Sequence, residues 1–102
     1  MAKVIAMYER PADPAAFDRY YYATHVPIAK KIPGLRGYEV TSGPVSTLEG
    51  PAPYHLVAIL TFDSPAAIQA ALGTPEGQAT AADLGNFATG GVDIYIADTK
   101  AI

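Results

Sequence analysis

Tyr54-His55-Leu56-Val57-Ala58-Ile59-Leu60-Thr61-Phe62, followed at once by Asp63-Ser64-Pro65, is the stretch from which the fold can be read. A nearly continuous apolar run of this length predicts a strand buried in a sheet. Its abrupt end predicts a helix immediately after it, with Ser64 as the cap and Pro65 at the first helical position, running to about Leu72. Thr74-Pro75-Glu76 repeats the device. The helix it starts is expected to carry Ala79, Ala82, Leu84 and Phe87 toward a stop at Gly90-Gly91. Residues 92 to 98 then read as the last strand.

Upstream, residues 35 to 40 predict a strand that resumes at Pro44-Val45, and residues 46 to 53 predict a loop. Residues 3 to 9 form the first strand, ended near Pro11, where proline cannot donate to a ladder. Asp13-Pro14 opens a helix expected to run from about 14 to 25. Pro27 disfavours a helical Val26, so the chain is expected to break there and restart as a short turn through Ile28 and Ile32, with His25 at a helix end. The order strand, helix, strand, strand, helix, strand predicts an α+β, ferredoxin-like (βαββαβ) sandwich with a four-stranded antiparallel sheet and its helices on one face. The other face is left bare. Because apolar burial contributes roughly 25 cal/mol per Å², that face is expected to find a partner, and a homodimer is the simplest solution.

The 102 residues suit a single domain, 1–102, with one modest core. The absence of cysteine excludes disulfides, thiolate metal sites and thiol nucleophiles. Net charge is −3, and the seven basic residues are scattered apart from Lys30-Lys31, so no basic stripe for nucleic acid is present. No apolar run approaches the ~20 residues that span a bilayer, and a soluble cytoplasmic protein is expected.

The chemistry is concentrated in Phe17-Asp-Arg-Tyr20-Tyr21-Tyr22-Ala-Thr24-His25-Val-Pro27. On a helix, Phe17, Tyr21 and His25 fall at successive steps of four and stack along one face. Imidazole trades protons near neutral pH, which makes His25 the candidate general acid or base. Tyr21, one turn away, is placed to donate to a developing oxyanion, and Tyr20 or Tyr22 to orient an aromatic ring. Phe17, Tyr8, Tyr38 and His55 complete the candidate substrate contacts. The structural alternative is that His25 caps the broken helix and the tyrosines fill the layer between helix and sheet. His55 is expected opposite Tyr54 and Leu56, facing solvent or the dimer seam; if it met His25, the two with a carboxylate would suit a divalent metal. Arg36 and Lys30-Lys31 are candidates to attract an anionic ligand at a pocket mouth. Of Met7 and Tyr8, which point to opposite faces, one is expected to line the pocket or the dimer interface. With no Gly-x-Gly-x-x-Gly fingerprint, phosphate loop or metal-ligand cluster, no cofactor and no metal are expected.

Phe17-x-x-Tyr20-Tyr21-x-x-x-His25-x-Pro27, followed by Lys30-Lys31-x-Pro33-Gly34-Leu35, resembles the EthD family of dimeric α+β barrel proteins. Tyr54-His55-Leu56, Phe62, Ser64-Pro65, Pro75-Glu76-Gly77, Asp83 and Phe87 extend the resemblance over essentially the whole chain. It implies a ferredoxin-like subunit whose sheet packs against its twin, with a pocket between sheet and helices. It also implies small-molecule catabolism. The family is named for ethyl tert-butyl ether degradation beside a monooxygenase, members are often labelled reductases, and similar barrels include cofactor-independent monooxygenases, isomerases and dehydratases. Two readings follow. One is a cofactor-independent oxidoreductase, lyase or isomerase using His25 for proton transfer on a hydrophobic or aromatic substrate. The other is a noncatalytic ligand-binding or accessory protein to a monooxygenase system.

Overall fold

The computed structural model describes all residues, 1–102. Four long strands form one antiparallel sheet in the order β2-β5-β1-β6, where β1 is Ala2–Glu9, β2 Gly37–Val40, β5 Tyr54–Phe62 and β6 Val92–Asp98. This is the ferredoxin-like arrangement expected from the order of elements. Between β2 and β5 the chain forms a two-stranded hairpin, β3 (Ser46–Thr47) with β4 (Gly50–Pro51). It replaces both the loop expected there and the resumed strand at Pro44-Val45. Thr47 explains the turn, since its hydroxyl donates to the Gly50 carbonyl and accepts from the Glu49 amide.

Each main helix begins on a cap and proline. Asp13 accepts from the Ala16 amide ahead of α1 (Pro14–Tyr20), Ser64 from Ala67 ahead of α3 (Pro65–Leu72), and Thr74 from Gly77 ahead of α4 (Pro75–Asp83). Each cap satisfies an orphan amide of a first turn, typically worth about 1 kcal/mol.

The expected break before Pro27 does not occur. The helix passes from α1 through a π-turn, Tyr21–His25, into α2 (Val26–Ala29), and Val26 keeps helical angles. The Val26 amide reaches back to the Tyr21 carbonyl, so the hydrogen-bond register has slipped by one residue just before Pro27, which has no amide to lose. The slip also serves the aromatic face. In a regular α-helix a step of four residues overshoots one turn by about 40°, and a wider turn removes part of that drift.

Residues of even number in β1 and β5 point to the helices and are the buried ones: Ala6, Tyr8, Leu56, Ala58, Leu60 and Phe62. The odd-numbered residues form the other face, where Ile5 lies opposite Ile59 and Tyr95, and Met7 opposite Val57. All of these keep partial exposure except Tyr95, which is exposed. On α4, Ala79 and Ala82 point to solvent, and Gly77 and Asp83 are the buried residues. Gly77 is where α4 meets α3: a Cβ there would lie 2.1 Å from the Ala71 carbonyl oxygen. Gly77→Ala is therefore expected to cost about 3 kcal/mol, because backbone rather than a pliable side chain must move. Urea unfolding checks this, and an unchanged midpoint would mean that α4 slides freely on α3.

Candidate active site

The aromatic steps of the first helix lock together. Phe17 stacks on Tyr21 with ring centroids 5.7 Å apart, and Tyr21 packs on the His25 ring at 5.4 Å. Tyr8 from β1 meets Phe17 and Tyr21 edge-on, and Phe87 closes the cluster 4.6 Å from His25. Such offset and edge contacts add about 0.5–1.5 kcal/mol each beyond area burial, and they fix the ring directions.

His25 is 3% exposed and its Nδ1 lies 2.9 Å from Oδ2 of Asp83, itself 6% exposed. Asp83 also accepts from the Tyr20 hydroxyl at 2.6 Å and from the Asn86 amide at 3.0 Å, both on Oδ1. Burial opposes ionisation of Asp83, but these hydrogen bonds and the His25 ring outweigh it and hold the carboxyl below its ordinary range. An ionised carboxylate only accepts, so His25 Nδ1 carries the hydrogen and the neutral ring keeps its lone pair on Nε2. Nε2 has no hydrogen-bond partner in the chain, yet it is not sealed from open space. It belongs to a residue that lines a cavity.

That cavity lies between sheet and helices and offers about 110 Å³ of solvent-sized space. Tyr8, Tyr21, His25, Tyr38, Thr80 and Leu84 are among its walls; no Lys, Arg, Asp or Glu is. Its remaining walls are almost all aliphatic. The Tyr21 and Tyr38 hydroxyls bond to each other at 2.6 Å. Burial raises the pKa of Tyr8, Tyr21 and Tyr38, with the Tyr38 bond adding to the rise at Tyr21. These phenols stay protonated and act as donors, not bases.

The structure thus brings together His25, Tyr21, Tyr8 and Tyr38. The other residues singled out from the sequence lie elsewhere. Phe17 is buried behind Tyr8 and Tyr21, and Tyr20 reaches the site through Asp83 and through its stack on Phe87. Tyr22 is 51% exposed and lies edge-on to Tyr21. His55 does not face the open side of the sheet. The register slips at Tyr8/Glu9, where the partner jumps from Leu56 to Tyr54, and this bulge turns His55 toward α1, where Nε2 is 2.8 Å from Asp18 Oδ1. Its ring meets Phe17 edge-on, so the two histidines stand at opposite ends of the aromatic stack, each held by its own aspartate. Arg36 is engaged by Asp63 through two hydrogen bonds and does not line the cavity.

Asp83 has the largest role of any residue to which sequence reasoning assigned none. A signal was there: an acid closing a helix sits against the negative end of the dipole, an unfavourable place that calls for compensating partners. Here the partners are Tyr20, His25 and Asn86.

The profile of the EthD domain matches residues 9–91. A Rhodococcus erythropolis protein described as an uncharacterized 11.0 kDa protein in the thcB-thcC intergenic region is 40% identical over 103 residues, spanning 100% of this chain and 98% of its own. The crystal structure of an EthD family protein from Bacillus halodurans superposes with a TM-score of 0.90 at 37% identity, covering 98% of this chain and 99% of that one. SnoaB, a cofactor-independent oxygenase from Streptomyces nogalater, shares the fold at a TM-score of 0.68 and 15% identity, over 99% of this chain and 94% of its own.

Proposed function

Because this chain belongs to the EthD family, and because a buried His25–Asp83 pair borders an apolar cavity, we propose that it is a cofactor-independent enzyme of small-molecule catabolism. In this reading His25 moves a proton on a hydrophobic or aromatic substrate. The observation that carries the reading is the pair itself: Asp83 fixes the tautomer and ring direction, and leaves Nε2 as the unpaired acceptor of a residue that lines the cavity. When the imidazole takes a proton, the adjacent carboxylate stabilises the cation that forms. The protonated Tyr21–Tyr38 pair supports negative charge developing on a substrate oxygen. A proton relay of this kind calls on no redox group.

The reading includes a second copy of the chain on the bare sheet face, where Ile5, Met7, Val57 and Ile59 form a continuous apolar strip. A stable homodimer would cover that strip while leaving the helix side, and the cavity, to each subunit.

His25→Gln is the test. Gln keeps hydrogen-bonding capacity without a titrating base, so turnover of a converted compound is expected to fall roughly 10²-fold or more with affinity preserved. The measurement is product formation and binding over a panel of neutral aromatic and alicyclic compounds. If no bound compound is ever altered and His25→Gln merely weakens binding, the protein is a noncatalytic carrier.

A further inference from the structure

Within the cavity wall, Tyr8 is set apart by an unused hydroxyl. Its residue is 2% exposed, and the oxygen has no hydrogen-bond partner in the chain, yet it is not sealed from open space. Phe17, Tyr21 and Phe87 hold the ring on three sides at centroid distances of 5.4, 5.6 and 5.5 Å, so its direction is set by packing. By contrast, the bond between Tyr21 and Tyr38 takes up one hydroxyl hydrogen of that pair, and the Thr80 hydroxyl donates to the Glu76 carbonyl. A ligand oxygen within reach would give the Tyr8 hydroxyl a partner that the chain does not supply.

Two further observations narrow that ligand. With no cation among the lining residues, an anionic substrate would enter without a counter-charge, which is costly in an apolar site. The space of about 110 Å³ is also somewhat below the ~150 Å³ of an engineered apolar cavity that binds benzene, so one ring is the natural limit. His25 and Tyr8 both line this cavity and pack on the same two rings, Tyr21 and Phe87, which makes them neighbours in its wall.

We infer that Tyr8 donates its hydroxyl hydrogen to a carbonyl oxygen of the substrate, which is a neutral carbonyl compound of single-ring size carrying a C–H next to that carbonyl. The inference rests on the proton-transfer role proposed for His25. Nε2 takes the proton from the carbon beside the carbonyl, and the C–H electron pair becomes a carbon–carbon π bond. The carbonyl π pair moves onto oxygen, where the Tyr8 hydrogen bond receives it. The imidazolium, paired with Asp83, then returns its proton to the same carbon or to a conjugated one, so that no oxidant or reductant is consumed.

The test uses cyclohexanone and methylcyclohexane, which have equal numbers of heavy atoms and differ in the carbonyl. Tyr8→Phe is expected to weaken cyclohexanone binding about tenfold and to leave methylcyclohexane binding within about twofold, as loss of one hydrogen bond in an intact cavity requires. In D2O the wild-type protein is expected to speed deuterium uptake at the carbon beside the carbonyl, and Tyr8→Phe to slow that uptake. Equal weakening of both ligands, or of neither, overturns the assignment of Tyr8. A selective loss of cyclohexanone binding with no deuterium uptake in the wild type leaves Tyr8 as the carbonyl donor and overturns the proton-transfer role of His25.

Discussion

Asp83→Ala is expected to destabilise the fold by about 3 kcal/mol, because removing a buried carboxylate strands the donors that it held. Three of them are affected: the Tyr20 hydroxyl, the Asn86 amide and His25 Nδ1. The same change is expected to abolish turnover, since the imidazole loses the acceptor that fixes its tautomer. Asp83→Asn separates charge from shape. The folded-state carboxyl is held below its ordinary range, so the stability it contributes is fully present above the unfolded carboxylate pKa of about 3.9 and is lost as pH falls through the lower folded value. The gap in stability between the wild type and Asp83→Asn should accordingly be widest near neutral pH and shrink in acid below about pH 4. Urea unfolding at several pH values reads both effects. A gap that is small at pH 7, or one that grows in acid, would refute this account of the site.

Ile5→Lys is expected to convert a dimer into a monomer at micromolar concentration. Ile5 sits on the central strand β1, opposite Ile59 on one side and Tyr95 on the other, with no carboxylate across from it on either neighbouring strand. In a two-fold assembly the substitution appears twice, and each lysine would be buried against apolar side chains with nothing to pair its charge. The dissociation constant should rise by roughly 10³-fold or more. Sedimentation equilibrium settles the matter: a wild type that is monomeric at micromolar concentration, or a dimer indifferent to Ile5→Lys, would show that the bare face is not the interface.

The parts of the fold that could be read from sequence are those written in neighbouring residues. The three caps followed by proline, at Asp13, Ser64 and Thr74, announce three helices because both halves of each signal lie side by side. The run from Tyr54 to Phe62 announces its strand for the same reason. Pro27 misled, because the proline rule describes a regular helix and the π-turn evades it by shifting the register one residue earlier. His55 was assigned to the wrong side of its strand, since parity holds only until a bulge inserts an unpaired residue, and nothing in Tyr54-His55-Leu56 marks one. The pairing of His25 with Asp83 spans 58 residues, and that of Tyr20 with Asp83 spans 63. Contacts that long depend on how α4 lies against the first helix, which a one-residue error of phase would change.

The tight clustering of rings around the cavity has a practical consequence for spectroscopy. The chain contains seven tyrosines, three phenylalanines and no tryptophan, so its absorption and emission above about 270 nm come from phenols. Three of those phenols, Tyr8, Tyr21 and Tyr38, form part of the cavity wall, and their ring orientations are fixed by packing. Immobilised chromophores dominate near-ultraviolet circular dichroism, whereas a freely rotating exposed phenol contributes little. The protein therefore carries its own label at the place where a ligand would sit, and occupancy can be followed by titration without modifying a single residue.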